Sequence, residues 1–195
     1  MPMRLAVAVS GRGSNLDALL AACRRDPVAD VVLVLSDRAG AGGLERAREA
    51  GVPAAVLADP SDASEWLALL EEHRIDLVVL AGYLKLVPAG VIARYRGRIV
   101  NVHPALLPAF GGPGMYGHRV HQAVLASGAA ESGATVHLVD EAYDRGAVLA
   151  QARVPVLPGD DPDRLAARVL EAEHRLLPAV VLAAARAGRP VPLAT

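Results

Sequence analysis

"RLAVAVSGRGSNLDALLAACRR", residues 4–25, carries the pattern from which the fold is read. The run 4–10 is short, continuous and apolar, and it stops at Gly11, as a strand buried on both faces does. From Ser14 the spacing changes: Leu16, Leu19, Leu20 and Cys23 fall on one helical face. The spacing predicts a strand over 4–10, a glycine turn and a helix over 14–25.

The alternation continues along the chain. Strands are expected at 30–37, 52–58, 75–82 and 98–103, and helices at 43–51, 61–74 and 87–97. Short apolar strands alternating with helices of about ten residues imply a parallel sheet covered on both faces. The pattern then changes. A Pro/Gly-rich loop spans 104–117, a helix is expected at 118–128, and strands at 132–140 and 146–156 follow without a long helix between them. The segment 161–188 reads as a long helix, or as two broken at Pro178. The expected class is α/β: a single-domain, Rossmann-like, mostly parallel twisted sheet flanked by helices, with an antiparallel or mixed C-terminal extension. The domain is expected to cover 1–195.

Composition narrows the function. The 195 residues are 53% hydrophobic with net charge −1, so there is material for a core and no basic excess for nucleic acid or a membrane surface. Lys85 is the only lysine and Cys23 the only cysteine. One cysteine makes no intrachain disulfide. The N-terminal apolar run is too short for a signal peptide, and no apolar stretch reaches the ~18 residues of a membrane span. A cytoplasmic protein is expected.

The first loop, "AVSGRGSN" (8–15), is a candidate phosphate cradle. Gly11 and Gly13 let backbone N–H groups approach an anion at a helix N-terminus. Ser14 or Asn15 can cap that helix or touch the ligand. A dinucleotide fingerprint needs Gly or Ala where Leu16 stands, and a P-loop needs a Lys that is absent. One phosphomonoester suits the loop better than a pyrophosphate. Asp37, near the end of the second strand, is an acid that an NAD site would want, so NAD remains open on these residues alone.

The second constellation is "RIVNVHPALLP" (98–108). Residues i and i+2 of a strand share a face, so Asn101 and His103 project together at the sheet's C-terminal edge. An amide N–H can hold a developing oxyanion, and an imidazole can move a proton near pH 7. The loop "VDEAYDRGAV" (139–148) offers Asp140, Glu141 and Asp144; a carboxylate near His103 would raise its pKa. His118 and His121 stand at i, i+3 with no third ligand in pattern, so no metal is expected. His137 suits core or cleft equally. Cys23 reads as a core residue.

"SGRGSN", "GYLKLVP", "NVHPALLP", "DEAYDRG" and "RVLEAEHRLLP" occur in an order and spacing that resembles the folate-dependent formyltransferases, in the phosphoribosylglycinamide formyltransferase branch. The resemblance covers nearly the whole chain. It implies transfer of the formyl group of 10-formyltetrahydrofolate to the amine of 5-phosphoribosyl-glycinamide, in purine synthesis, by direct attack through a tetrahedral intermediate. It further implies His103 as general acid, Asn101 as partner of the oxyanion, and Asp144 paired with His103. Gly13, Ser14 and Asn15 would bind the phosphate and Glu173 the ribose. Leu84, Lys85, Leu86, Val87, Asn101, Asp140, Glu141, Ala142, Tyr143 and Asp144 would form the folate pocket. The 1–103 half would bind the phosphosugar, and the 104–195 half would bind folate and carry catalysis. Small-molecule substrates, no metal, and a monomer or homodimer follow.

The chain departs from that family's pattern at four places. Ala105 stands where Ser is frequent, Lys85 where Arg is commoner, and the 110–121 loop is longer than in some members. Ser64 stands near the place of an Arg that meets the folate's glutamate tail, leaving Arg94 as one nearby candidate. Other folate enzymes, namely methionyl-tRNA formyltransferase and formyltetrahydrofolate hydrolase, would carry an extra domain, and the length disfavours them. A noncatalytic phosphosugar-binding module or an NAD-binding domain would leave Asn101, His103 and Asp144 without purpose.

Overall fold

The computed structural model describes residues 1–193. The last two positions of the domain expected over 1–195, Ala194 and Thr195, lie outside the described residues. Seven strands form one sheet: β1 (Met3–Val9), β2 (Ala29–Ser36), β3 (Ala54–Val56), β4 (Leu77–Leu80), β5 (Ile99–His103), β6 (Glu131–Leu138) and β7 (Val148–Pro155). Their order across the sheet is β3-β2-β1-β4-β5-β6-β7. The pairs from β3 to β5 are parallel, whereas β6 is antiparallel to both β5 and β7. The mostly parallel sheet with an antiparallel extension is the architecture expected from the sequence.

The strand order reverses between β1 and β4, and that is where open α/β sheets form a crevice at their C-terminal edge. Every residue from Leu5 to Val9 is buried, because helices cover both faces. Helices α1 (Ser14–Arg25), α2 (Gly42–Glu49) and α6 (Pro162–Ala187) cover one face. Helices α3 (Ala63–Glu72) and α4 (Ala89–Arg94) cover the other, around the fully buried Trp66. Cys23 lies in the first of these cores, and burial pushes its thiol up to about 11. Helix α5 (His118–Ala126) packs with α6 and β6 around Val124, Ala134 and Val169. Among the described residues, no helix is long and apolar enough to cross a membrane.

Helix ends follow side-chain chemistry. Asp62 caps α3 by accepting the Ser64 N–H at 2.8 Å, and Asp161 caps α6 by accepting that of Arg164 at 2.8 Å. The fourth helix is shorter than the expected 87–97 because it begins only after Pro88 and ends before Tyr95. The last helix is single: Pro178 sits inside it, buried, and does not divide it. Packing against the sheet and α1 holds the turns on either side, offsetting the one lost hydrogen bond.

Candidate active site

The first loop leaves β1 at the crevice. Gly13 has φ +82, and a Cβ there would stand 2.6 Å from the Cα of Gly43, so the close approach of α2 and the left-handed backbone both demand glycine. Among the described residues no side chain caps α1, so of the two uses open to Ser14 and Asn15, capping and ligand contact, capping is not the one seen. Asn15 instead crosses to α6, where its Nδ2 donates to Glu173 Oε2 at 2.6 Å. The α1 N-terminus keeps its unpaired amides for another acceptor. Asn15 Oδ1 is buried with no partner among the described residues. Burial pushes the Glu173 carboxyl up to about 7, against the opposing hydrogen bond from Asn15.

Asn101 and His103 are on β5, as the period-two reading placed them. What joins them to Asp144 is the antiparallel strand β6. Asn101 is opposite His137 and His103 opposite Thr135. Past β6 the chain turns, and Asp144, in left-handed conformation at φ +55, brings its carboxylate back over β5. Its Oδ2 is 3.6 Å from His103 Nδ1 and accepts the Gly112 N–H at 2.9 Å; its Oδ1 is 3.5 Å from His137 Nε2. Gly146 makes the turn possible, since a Cβ there would lie 1.7 Å from the Leu138 carbonyl oxygen.

The electrostatics of this group differ from expectation. Burial pushes His103 below its ordinary value; Asp144 and the Phe110 carbonyl pull upward without cancelling that effect. A neighbouring carboxylate acts in the direction expected, but the cost of charging a ring that is 3% exposed wins. Both ring nitrogens nonetheless face acceptors, Nδ1 towards Asp144 and Nε2 to the Phe110 carbonyl at 2.8 Å. Burial pushes Asp144 up as well, but His137, His103 and the Gly112 amide bring it below the usual carboxylate range.

His137, which period-two reading left between core and cleft, belongs to the site. Its Nδ1 is 2.8 Å from the Leu138 carbonyl, and its Nε2 stands 3.1 Å from the Asn101 amide nitrogen and 3.5 Å from Asp144 Oδ1. One Asn101 hydrogen faces His137, and the other has no partner among the described residues. The polar alternation Thr135, His137 was visible in the sequence, but its pairing with β5 was not. Tyr83 and the loop residues Met115 and Tyr116 were likewise not identified from the sequence; all three line the cleft.

These groups line one cleft that is open to solvent. Asn15 and Glu173 stand at one end, and Asn101, His103, His137 and Asp144 further in. Leu84, Lys85, Leu86, Val87, Asp140, Ala142 and Tyr143 form the other end. Leu84, Leu86 and Tyr143 are exposed apolar side chains there, an unusual concentration for solvent and a suitable wall for a flat heteroaromatic ring. Glu141 does not join them; its carboxylate turns outward to Arg96 Nη2 at 2.7 Å. Arg94 is also away from the cleft, 3.7 Å from Glu71, which leaves Lys85 as the cationic side chain lining it. His118 pairs with Asp163 at 3.4 Å, and His121 is buried, pushed down to about 4 by burial and by the neighbouring His118 and His103. Asp37 turns away from any dinucleotide position, its side chain 2% exposed.

The cleft lies where the order of a mostly parallel sheet reverses, and it gathers an amide, two imidazoles and a carboxylate between a polar end and an apolar end. The formyl transferase family matches residues 3–181, and the chain belongs to that family. Among its relatives is the chloroplastic phosphoribosylglycinamide formyltransferase of Arabidopsis thaliana, 48% identical over 91% of this chain and 64% of that protein. That of Escherichia coli is 39% identical over 92% of this chain and 85% of its own length. The chain spans about 60% of the length of the two plant relatives it matches. The solved phosphoribosylglycinamide formyltransferase of Brucella melitensis superposes with a TM-score of 0.85 at 43% identity, covering 100% of both chains.

Proposed function

We propose that this protein transfers the formyl group of 10-formyltetrahydrofolate to the amine of 5-phosphoribosyl-glycinamide, a step of purine biosynthesis. The observation that carries the reading is the single cleft in which a phosphosugar end and an apolar end meet at Asn101, His103 and Asp144. The relatives bear the name of this activity over the same residues.

The phosphate rests on the N–H groups of Gly13, Ser14 and Asn15, where the helix dipole favours an anion. The ribose hydroxyls supply donors to Asn15 Oδ1 and to Glu173. The folate, which supplies the formyl carbon, lies against Leu84, Leu86, Val87 and Tyr143, with the 140–144 backbone and Lys85 at its edges. No protein nucleophile is needed. The amine attacks the formyl carbon, and the free amide hydrogen of Asn101 holds the oxygen as it gains charge.

His103 is neutral in the free protein at pH 7, so it takes the proton that the attacking amine sheds. The resulting imidazolium is held by Asp144 and delivers the proton to the departing folate nitrogen. His103 is thus base first and acid second. Its Nε2 must exchange the Phe110 carbonyl for the reacting groups, and segment 110–117, with Gly111, Gly112, Gly114 and Gly117, can supply that movement. Positioning two substrates in one cleft supplies much of the remaining rate. The phosphosugar is bound by the 1–103 half together with Glu173, and the 104–195 half provides catalysis and folate contacts together with Leu84–Val87, Asn101 and His103. The enzyme works on small molecules as a monomer or homodimer. The test is an assay of purified protein with 10-formyltetrahydrofolate and either glycinamide ribonucleotide or water as acceptor. Formylated ribonucleotide is the expected product; formate release alone would make the protein a hydrolase.

A further inference from the structure

Asp37 occupies the strand end where a dinucleotide enzyme would place a ribose-binding acid, yet its side chain is 2% exposed. Its Oδ2 accepts from Arg38 Nε at 3.3 Å and Nη2 at 3.1 Å. Its Oδ1 is buried and has no partner among the described residues. One residue beyond the parallel register pair Val9–Ser36, Ser10 follows β1 as Asp37 follows β2, so the two stand side by side at the same edge of the sheet. The Ser10 Oγ accepts the Leu84 N–H at 2.9 Å, and the Ser10 N–H donates to the Gly82 carbonyl at 3.1 Å. Two bonds from one residue therefore strap the turn 82–84, which is a wall of the cleft.

Tyr83, between the strapped residues, is itself anchored. Its ring meets Trp66 edge-on at 5.5 Å, and its hydroxyl is buried without a partner. A serine hydroxyl that accepts one hydrogen bond still has a proton to give, and buried polar atoms are seldom left unpaired. Burial pushes Asp37 up, but the neighbouring Ser10 hydroxyl and Arg38 guanidinium outweigh it and hold the carboxyl below its ordinary value.

We propose that Asp37 is a positioning residue for the folate end of the cleft: its Oδ1 accepts a hydrogen bond from the Ser10 hydroxyl, which turns the Ser10 lone pair to the Leu84 N–H and holds the Gly82–Leu84 wall in place. Without that acceptor the hydroxyl is free to rotate, and the Leu84 amide loses its fixed partner. The effect reaches the substrate that packs on Leu84 and Leu86, and not the phosphosugar on α1. The inference rests on the reading of that wall as the folate site.

The experiment compares Asp37→Asn, Ser10→Ala and the double variant. Each is measured for the KM of both substrates, for binding of a non-reactive 10-formyl folate analogue, and for Tm. Asp37→Asn is nearly isosteric, and Ser10→Ala deletes the relay while keeping the carboxylate. Each single variant is expected to weaken folate by roughly 5- to 10-fold, the scale of one lost hydrogen bond. The ribonucleotide KM and kcat stay within about 2-fold, and the double variant is no worse than the weaker single one. An unchanged folate KM in a folded variant, or an equal rise in both KM values, overturns the relay. Failure of the unaltered protein to bind the analogue would instead overturn the assignment of the cleft.

Discussion

The parallel and antiparallel halves of the sheet contribute to the same cleft in different ways. In the parallel half a glycine loop after β1 feeds directly into the helix that carries Asn15, and the one long-range member of that end is Glu173 of α6. Where β5 meets the antiparallel half, the candidate cluster joins residues far apart in the chain. Asp144 comes to His103 only because β6 runs back along β5 and the chain turns at Gly146. Local geometry shapes the glycine loop, and strand pairing assembles the cluster. Perturbations of the loop should therefore act on one substrate, and perturbations of the cluster on turnover.

The largest effect separates the halves most sharply. His103→Ala is expected to lower kcat by at least ~10²-fold, as loss of a general acid–base group does, while a phosphosugar ligand binds as before. Near-normal turnover would remove His103 from the mechanism. Asp144→Asn should lower kcat by about 10-fold or more and also move the pH profile. The carboxylate pulls His103 upward, so without it the His103 pKa falls further. The acidic limb of the kcat profile, which requires neutral His103, then shifts to lower pH. A limb that stays in place breaks the link between the two residues.

Gly13→Val tests the locally built end. The added side chain meets the Gly43 backbone in a left-handed conformation. The variant should lose about 1–3 kcal/mol of stability and raise the ribonucleotide KM far more than the folate KM. Equal rises would show that the glycine loop supports the whole cleft and not one end. The smallest effect concerns Glu173. Its carboxyl is raised to about 7 in the folded protein, so the folded state holds a proton that the unfolded state has released. That stabilisation is present below the unfolded pKa near 4.5 and fades as pH rises towards 7. Thermal unfolding of Glu173→Gln between pH 4.5 and 7 should show a flatter dependence of Tm on pH than the unaltered protein. An unaltered slope would mean that Glu173 is charged throughout.

Much of the architecture was legible from spacing. The buried strand runs, the helical faces of α1 and α3, and the loss of alternation after His103 are all local patterns, and each led to an element within a few residues of its observed position. Asn101 and His103 were placed on one face by the two-residue period alone. The glycine loop was read correctly as a turn next to a helix N-terminus. What local pattern did not show is that Asn15 leaves its own helix for Glu173, 158 residues away. The resemblance placed Glu141 in the folate pocket, and Arg94 stood as one nearby candidate for the glutamate tail; the side chain of each finds a surface ion partner of opposite sign.

The sequence by itself determined the elements, their layering and the pair Asn101 and His103, because apolar periodicity and backbone geometry act over a few residues. Tertiary structure decided which carboxylate reaches His103, that His137 holds Asn101, and that Asp37 stands behind the cleft and not within it. It also decided the sign of the His103 shift. A carboxylate's attraction and the cost of burial oppose each other there, and only the degree of enclosure by β6, the 110–117 segment and the turn at Asp144 settles which is larger.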